Sequence, residues 1–544
     1  MPRKLWIIEA PGKAKILNGI LLNLGMTDFH VQATIGHIMG MPEKLTPVGI
    51  DRDLKEFMRR PLRDGVAMQI VAAAENSDEI IIATDADTEG DVIATDVADL
   101  VRHLNKKISR VRLKGMDDES VREAIVEAVD FRREDATPGR TRAILDRIIG
   151  ATFSSNGIAV GRVGTALLGL VASGAVTTNR LLLVAPAKDG GRPWRAECDV
   201  LPPLTTEMAE KLSRTSLPML SMKSTATETT APRHTGDILV RASEMFDVEP
   251  AEVAKAMQAS YESSRMSYPR SKSRGMSRSA TRKMKRILEQ AGARFNEDAV
   301  ADKPDSSPHD APHPLGPVTL AMDPLKLGLN EGVRQMVARD LVTSGRVATV
   351  HHAATSELQA FLLRTGFSEE VATYITGLDW RRDHGPTVSR EAWGKSAIIR
   401  RRPDAAVLEA AIRHGLGTPS TWGDHIKRFI NRGLVDDDLR LTQKGRDWLK
   451  ASPPALLDVR IAAAIEKAIE SPLPASVATQ SGLEPWQTQA RRILMALPEA
   501  IRLPILATVD VDAPAPGIDP DIAPVPDRSP VARDGVKGYG VATD

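Results

Sequence analysis

The stretch "EIIIATDADTEGD", residues 79–91, joins an apolar run to a group of carboxylates. A short run of isoleucines is typical of a buried strand, and the residues that follow, "TEGDVIATDVADLVRHL", have the pattern of a helix. Strands that alternate with helices predict a mainly parallel α/β domain over residues 1–150. Further predicted strands of this region are "KLWIIEA" (4–10), "VQATIGHI" (31–38) and "RVRLKG" (110–115).

The carboxylates follow their strands at the same relative place. Asp85 and Asp87 occupy alternate positions, so their side chains share a face, and Glu9 comes at the end of the first strand. In an open parallel sheet, ligands bind at the carboxyl ends of the strands. Converging carboxylates repel one another unless a cation neutralises them, and Mg²⁺ suits such oxygen ligands. The pattern predicts a magnesium site; a solvated acidic turn, or N-cap residues of the next helix, is the alternative.

A rare tyrosine lies in the most basic part of the chain. The sequence has four tyrosines, and Tyr268 stands in "MSYPRSKSRGMS", residues 266–277. From Arg265 to Arg286 there are nine Lys or Arg residues and no Asp or Glu. Nearby positive charge favours the phenolate form, which makes a phenol a better nucleophile, and attracts phosphate. The alternative is a surface tyrosine in a basic DNA-binding loop.

Composition limits the classes of protein that are compatible with this sequence. A chain of 544 residues suggests roughly three or four domains. The single cysteine, Cys198, excludes a disulfide framework and a zinc ribbon, and fits a reducing cytosol. No apolar run approaches the roughly 20 residues of a membrane span. The net charge of +1 conceals opposite local charges, so it does not exclude nucleic acid as a partner.

Beyond residue 150 the pattern is mostly helical. A polar stretch near 203–235 favours strands or bends between domains, and the end of the chain from about Leu503 is rich in Pro, Asp and Gly. Such a composition predicts a disordered tail.

Several motifs together resemble a known family. "EAPGKAKIL" followed by "DADTEG" resembles the TOPRIM fold, which topoisomerases, primases and some nucleases share. The later motifs resemble type IA DNA topoisomerases and occur in the order of that family over about residues 4–450, most like a compact, topoisomerase III-like form without C-terminal zinc domains. These motifs are "ILDRIIG", "VGRVGTALLGLV", "MSYPRSKS", "HDAPHP" and "GLGTPSTWGDHIKRFINRGLV".

The resemblance implies a multidomain fold of the α/β plus mainly α class, with an N-terminal TOPRIM α/β domain followed by a toroidal type IA topoisomerase core. The implied divisions are a TOPRIM domain (1–150), a gate domain (151–195 and 396–500), an arch domain (196–232 and 346–395), a helical domain with the catalytic tyrosine (233–345) and a disordered tail (501–544).

The resemblance also implies roles for single residues. Tyr268 is the expected nucleophile, and Arg270 offers donors to the phosphoryl oxygens. Glu9 is expected to assist proton transfer at the leaving oxygen and to touch metal, with Lys13 on the scissile phosphate and His309 near the active site. The expected Mg²⁺ ligands are Asp85, Asp87, Glu89 and Glu9. The expected DNA-binding residues are Arg162, Lys272, Arg274, His37, Ser420 and Thr421.

The expected activity is ATP-independent cleavage of one DNA strand through a 5′-phosphotyrosine bond, strand passage and religation, which relaxes negative supercoils or decatenates DNA. Expected partners are single-stranded or underwound DNA and a helicase or single-strand-binding protein, with no membrane and a monomeric state. The expected location is the bacterial cytoplasm, on chromosome or plasmid. The alternatives are a weakly catalytic DNA-binding accessory protein of a mobile element, and a TOPRIM nuclease or primase-like enzyme.

Three departures from the family pattern are visible. Thr88 stands where the family usually has arginine, and Ser271 with Lys272 follows the tyrosine motif in place of Thr-Asp. "MDDESV", residues 116–121, replaces the usual Asn-Glu-Ile-Thr type of segment. These substitutions bear on the rate and the metal dependence of the expected reaction.

Overall fold

A computed structural model describes residues 3–155, 157–304, 307–382, 394–473 and 482–512. Its N-terminal part contains seven strands and four α-helices. The strands are β1 (Lys4–Ile8), β2 (Phe29–Ala33), β3 (Met39–Gly40), β4 (Arg60–Pro61), β5 (Glu79–Ile82), β6 (Lys107–Arg110) and β7 (Val129–Asp130). The helices are α1 (Pro11–Asn23), α2 (Asp64–Glu75), α3 (Thr88–Val101) and α4 (Asp118–Val126).

The N-terminal sheet has the order β2-β1-β5-β6-β7. The pairs β1–β2, β1–β5 and β5–β6 are parallel, and only β7 joins antiparallel, so the predicted, mainly parallel α/β domain is confirmed. Side chains of β1 alternate between two cores: Trp6 and Ile8 pack on one face, Leu5 and Ile7 on the other. Burial on both faces explains why these strands are continuous apolar runs.

The fourth strand lies earlier than predicted. The prediction placed it at residues 110–115, whereas β6 covers Lys107–Arg110 and pairs along all four residues of β5. Beyond Arg110 the chain leaves the ladder, and one isolated bridge from Leu113 to Asp85 continues the pairing. The apolar residues after Arg110, namely Val111, Leu113 and Met116, are buried in the core that also contains Trp6 and Ile8.

The next segment leaves the N-terminal domain and begins a second sheet. The helices α5 (Thr137–Phe153) and α6 (Arg162–Ala172) come first. The strands β8 (Asn179–Ala185), β9 (Trp194–Asp199) and β10 (Met222–Thr229) follow, with helix α7 (Thr206–Arg214) between β9 and β10.

The tyrosine segment belongs to a helical domain. Its helices are α8 (Thr235–Phe246), α9 (Pro250–Glu262), α10 (Arg278–Gln290) and α11 (Leu329–Ser344). Helix α9 begins with Pro250 at its first position and a reciprocal capping box between Glu249 and Glu252, an arrangement that satisfies the free N–H groups of the first turn. Tyr268 lies in the irregular segment between α9 and α10.

The chain then returns to the second sheet. The elements of this return are β11 (Val347–Ala353), α12 (Ser356–Arg364), α13 (Glu369–Thr376), β12 (Arg381–Arg382) and β13 (Ala397–Arg400). The sheet has the order β10-β11-β12-β9-β8-β13. It therefore begins at Asn179, inside the predicted first part of the gate domain, and ends with β13, inside the predicted second part, because β8 pairs with both β9 and β13.

The last part of the described chain is helical. Its helices are α14 (Pro403–Arg413), α15 (Trp422–Asn431), α16 (Gln443–Ala451), α17 (Pro454–Leu457), α18 (Val459–Glu470), α19 (Pro485–Ala496) and α20 (Glu499–Asp512). Helix α5 packs against α18, α19 and α20 in one apolar core, although the prediction assigned most of α5 to the N-terminal domain.

The predicted tail is wrong for residues 501–512, which form most of α20. Ile501, Ile505 and Val509 recur at every fourth position and are buried in the core with α5. This helical spacing outweighs the Pro504 that signals a break in the sequence. Residues 513–544 of the predicted tail lie outside the described residues. Among the helices of the described ranges, none is long and apolar enough to cross a membrane.

Candidate active site

The carboxylates are held by the turn between β5 and α3. Asp87 is the N-cap of α3, and its side chain accepts a 2.7 Å hydrogen bond from the Gly90 amide. A side chain at Gly90 has no room, because a Cβ there would lie 2.1 Å from the carbonyl oxygen of Asp85. The N-cap alternative therefore describes Asp87 correctly, but the same turn also aims Asp85 and Asp87 at the tyrosine segment.

Arg110 holds the backbone of the turn between β5 and α3 in place. Its guanidinium is fully buried and donates hydrogen bonds to the carbonyl oxygens of Thr84 (2.8 Å) and Asp85 (2.7 Å). Its Nε donates to Asp91, one residue beyond Gly90. Sequence reasoning missed this role, because an arginine inside a predicted strand carries no signal for it.

Tyr268 reaches the carboxylates across the interface between the two domains. Its amide donates to the Lys114 carbonyl at 2.9 Å, which anchors the tyrosine segment to the N-terminal domain. Its hydroxyl donates to Oδ2 of Asp87 at 2.5 Å, and the side chain is 1% exposed. The structure therefore places the predicted nucleophile on one of the predicted acidic residues.

Burial raises the pKa of Tyr268 well above its ordinary value, and the charges of Asp87 and Asp85 raise it further. The guanidinium of Arg270 opposes this shift. The expectation that positive charge favours the phenolate therefore fails for this state of the protein, because burial and the charges of Asp87 and Asp85 outweigh the charge of Arg270. The phenol is a neutral hydrogen-bond donor here.

Asp85 is bound by two other groups. Nζ of Lys13 donates to both of its oxygens, at 2.7 and 2.8 Å, and the hydroxyl of Tyr261 donates to Oδ1 at 3.0 Å. Lys13 and Asp85 are each 1% exposed, so their charges compensate one another away from water. The predicted Lys13 is therefore in the site, but its partner in this state is a carboxylate rather than a phosphate.

Arg270 is the cation next to Asp87 and Glu89. Its Nη1 lies 3.6 Å from Oδ2 of Asp87 and 3.7 Å from Oε2 of Glu89. Burial would raise the pKa of Asp87, but Arg270 and the hydrogen bonds from Tyr268 and Gly90 hold it below its ordinary value. The pKa of Glu89 is raised by burial and by the charge of Asp87.

Glu9 is placed as an acid that keeps its proton at neutral pH. Burial and the charge of Asp85 raise the pKa of Glu9 to about 8, against the opposing charge of Lys13. A carboxyl group with such a pKa can donate a proton to a leaving oxygen near neutral pH. The role that the resemblance implied for Glu9 stays a prediction.

His309 lies flat on the nucleophile. Its ring stacks on that of Tyr268 with centroids 4.3 Å apart and planes 27° apart. Burial lowers the pKa of His309 to about 4, so the imidazole is neutral at pH 7. A hydrogen bond that involves the Ala86 backbone opposes this fall in pKa. The predicted histidine is therefore beside Tyr268 as a buried, neutral ring.

The predicted magnesium site is not assembled in this arrangement. Carboxylate oxygens have the right chemistry for Mg²⁺. In the described ranges, however, no group of three or more His, Cys, Asp or Glu side chains is arranged to hold a metal ion. Asp85 already binds Lys13 and Tyr261. Asp87 already accepts a hydrogen bond from Tyr268 and lies beside Arg270. A metal ion at this edge of the sheet requires these carboxylates to exchange a partner for the ion.

The predicted DNA-binding residues contact other side chains of this protein. Arg162 is buried between Asp146, at 3.0 Å, and Glu466. Lys272 pairs with Glu470 at 2.5 Å, and Arg274 binds both oxygens of Asp237. His37 is exposed, and its charge opposes the rise in the pKa of Glu89. Ser420 and Thr421 hydrogen-bond to Thr418 before α15.

The basic segment around Tyr268 is mostly neutralised within the protein. Eight of its nine Lys and Arg residues have a carboxylate within 4 Å, which corrects the view of a basic loop open to phosphate. Two of these cations join the domains: Lys283 of α10 lies 2.7 Å from Asp117, and Arg286 lies 3.1 Å from Glu119. Both carboxylates belong to the unusual "MDDESV" segment. We call this contact the α4–α10 clasp.

Comparison with known proteins shows what this chain is similar to. The Toprim domain family matches residues 4–115. The chain is 23% identical over 488 residues to DNA topoisomerase 1 of Thermotoga maritima, which covers 80% of this chain and 75% of the relative. It is 22% identical over 531 residues to DNA topoisomerase 1 of Aquifex aeolicus, which covers 86% of this chain and 94% of the relative.

A solved structure has the same fold. Full-length topoisomerase I from Thermotoga maritima matches with a TM-score of 0.60 at 18% identity, over 90% of this chain and 89% of that one. Together these comparisons support a type IA DNA topoisomerase.

The two halves of the site come from two domains. The Toprim domain supplies the carboxylates and Lys13, and the helical domain supplies Tyr268, Arg270 and His309. The Thermotoga and Aquifex relatives are both named DNA topoisomerase 1, and the closer similarity to topoisomerase III stays a prediction. Tyr261 was missed by sequence reasoning, although its rarity and its place seven residues before Tyr268 were visible signals.

Proposed function

We propose that this protein is an ATP-independent type IA DNA topoisomerase whose nucleophile is Tyr268. The observation that carries the proposal is the buried phenol of Tyr268 on Asp87, at an interface between two domains and within a cluster of carboxylates and cations. A structural tyrosine has no need of such surroundings, which shift pKa values in the way that catalytic sites do.

In the proposed reaction, Oη of Tyr268 attacks a phosphorus atom of one DNA strand. A bond forms between Oη and phosphorus, and the bond from phosphorus to the 3′ oxygen breaks. The phenol proton leaves along its hydrogen bond to Asp87, and Glu9 gives a proton to the 3′ oxygen. Arg270 stabilises the charge that develops on the phosphoryl oxygens. The reverse steps reseal the strand without an external energy source.

Binding of a strand must rearrange the site before this reaction. Tyr268 is 1% exposed, so a phosphate reaches it only when the Toprim and helical domains move apart slightly. A phosphate next to Arg270 then competes with Asp87 and Glu89 for the guanidinium. The same separation, carried further after cleavage, would let a second strand pass between the domains.

The proposal includes Mg²⁺ as cofactor, because Toprim domains bind this ion in general. Asp85, Asp87 and Glu89 would hold it after one of them gives up its present partner. When bound, the ion would supply positive charge for positioning the strand ends. DNA is the proposed partner, single-stranded or underwound. The proposal also includes a helicase or single-strand-binding protein as a partner, a monomeric state, and a cytoplasmic location on chromosome or plasmid. The proposed outcome of the reaction is relaxation of negative supercoils or decatenation of DNA.

The test is the capture of the covalent intermediate. A single-stranded oligonucleotide with a blocked 5′ end and a labelled 3′ end is incubated with the protein and quenched in detergent. The expected result is label that migrates with the parent protein and not with Tyr268→Phe. Tyr374→Phe is the matched control, since Tyr374 lies far along the chain beside Cys198 in the second sheet's core and should leave the yield unchanged.

Other outcomes point to the alternatives. Free cleaved product from both the parent and Tyr268→Phe would overturn the proposal in favour of a Toprim nuclease. Bound but uncleaved DNA would favour a DNA-binding accessory protein.

A further inference from the structure

Tyr261 has a polar contact that the proposed reaction does not yet use. It is fully buried, at 0% exposure, near the end of α9. Its hydroxyl donates to Oδ1 of Asp85 at 3.0 Å, from a helix of the other domain. Its ring meets that of Tyr268 edge to face, with centroids 5.4 Å apart and planes 85° apart. Nζ of Lys13 lies 4.5 Å from the centroid of the Tyr261 ring.

Two tyrosines of the helical domain thus meet two aspartates of the Toprim domain in parallel. Tyr261 donates to Asp85, and Tyr268 donates to Asp87. Two acidic side chains on the same face could each accept the hydroxyl of the nucleophile. If a hydrogen-bond donor stays fixed on one aspartate, only the other aspartate is left to accept the hydroxyl of the nucleophile.

We propose that Tyr261 is a positioning residue for strand cleavage, which holds Asp85 on Lys13 and so leaves Asp87 as the acceptor for the hydroxyl of Tyr268. The inference rests on the proposed function, because it assigns Tyr261 to the same reaction. Tyr261 is 0% exposed, and its hydroxyl is held by Asp85. It acts through Asp85 and through the edge of its ring against Tyr268.

The physical argument separates the hydroxyl from the ring. Phenylalanine at this position keeps the edge-to-face contact and the contact with Lys13, and it loses only the hydrogen bond to Asp85. A hydrogen bond to a buried charged group is among the stronger ones in proteins. Without it, Asp85 and Lys13 can turn together, and Asp85 becomes a second acceptor for Tyr268. Fewer molecules then hold the nucleophile in the geometry for attack.

The experiment compares Tyr261→Phe with the parent protein in single-turnover cleavage of a labelled oligonucleotide. The expected result is a rate of covalent-complex formation about tenfold lower, which corresponds to about 1.4 kcal/mol in the barrier. The Kd for the oligonucleotide, measured by fluorescence anisotropy, should stay within about twofold, because Tyr261 is fully buried. Tyr374→Phe is the matched control and should change neither quantity.

The outcomes are distinct. An unchanged cleavage rate in Tyr261→Phe would overturn the inference. So would a fall in rate with an equal loss of DNA binding, because that pattern indicates a general disturbance of the site. A parent protein that forms no Tyr268-dependent covalent complex would instead overturn the proposed function itself. A tyrosine ¹³C spectrum adds a second readout: with four tyrosines in the chain, the signal lost in Tyr261→Phe should be the one that shifts in Asp85→Asn.

Discussion

The α4–α10 clasp leads to a prediction about how tightly the Toprim and helical domains are held together. Lys283 donates to Oδ1 of Asp117 at 2.7 Å and lies 3.7 Å from Glu119. The side chains of Lys283 and Asp117 are 15% and 24% exposed, so the pair is shielded from water on most sides. Lys283→Met should therefore weaken the closed interface.

The magnitude follows from this partial burial. Exposed ion pairs contribute at most about 1 kcal/mol, and hydrogen bonds to charged groups about 1.5–3 kcal/mol. The clasp lies between these cases, so we expect a coupling of about 1.5 kcal/mol between Lys283 and Asp117. This free energy corresponds to a roughly tenfold increase in the open fraction.

The assay is native-state hydrogen exchange, read by mass spectrometry on peptides that span α4 and α10. A double-mutant cycle combines Lys283→Met with Asp117→Asn, since asparagine keeps the capping oxygen that Asp117 offers to the Ser120 amide. Arg278→Met is the control, because its pair with Asp298 is exposed and 3.4 Å long and should contribute less than about 0.5 kcal/mol. A coupling below about 0.3 kcal/mol would refute the reasoning.

Three further predictions concern the site itself. Glu9→Gln should be as stable as the parent below pH 4.5 and more stable by roughly 2–4 kcal/mol above pH 8. The reason is that Glu9 has a raised pKa of about 8 in the folded parent, so the parent loses stability as the pH rises from 4.5 to 8. If the stabilities of the two proteins, measured by thermal melting from pH 4 to 9, stay parallel, the prediction is contradicted. Lys13→Met leaves Asp85 buried without its cation and should cost about 3–5 kcal/mol, part of which added Mg²⁺ should restore in thermal melting; a variant as stable as the parent, or one indifferent to Mg²⁺, would count against the pairing. Gly90→Ala places a Cβ 2.1 Å from a carbonyl oxygen and should cost about 2–3 kcal/mol, while Gly65→Ala, with open space around it in α2, should cost nothing; equal melting temperatures for both variants would contradict the steric argument.

Much of the Toprim domain could be predicted because its signals are local. The apolar run of β5, the carboxylates after it and the helical pattern of α3 follow one another within a single stretch, and burial on both faces makes such runs conspicuous. The limits of β6 were misplaced and most of α20 was predicted to be a disordered tail, because partners distant in the chain decide both elements. Strand β6 ends where its pairing with β5 ends, and α20 forms because α5 covers its apolar side.

The residue types of the site were present in the sequence, but their pairing was not. The acidic segment predicted a magnesium site, and the basic segment around Tyr268 predicted attraction of phosphate. The structure brings the two segments into direct contact, so that Asp87 holds Tyr268 and the cations of residues 265–286 mostly hold carboxylates. Each charged side chain pairs with the nearest group of opposite charge, and the packing of the domains decides which group is nearest.

By itself the sequence determined which groups this protein can use: a tyrosine among cations, carboxylates at the ends of strands, and a motif order that identifies the family. These properties depend on residue type and on spacing over a few residues. Only the tertiary structure decided that Asp85 accepts hydrogen bonds from Lys13 and Tyr261. It also decided that the pKa of Glu9 is raised to about 8, so that Glu9 keeps its proton at neutral pH, and that Tyr268 is a buried neutral phenol. Burial, pKa and hydrogen-bond partners depend on atoms contributed by segments more than 170 residues apart, as between Tyr261 and Asp85, and no local pattern records them.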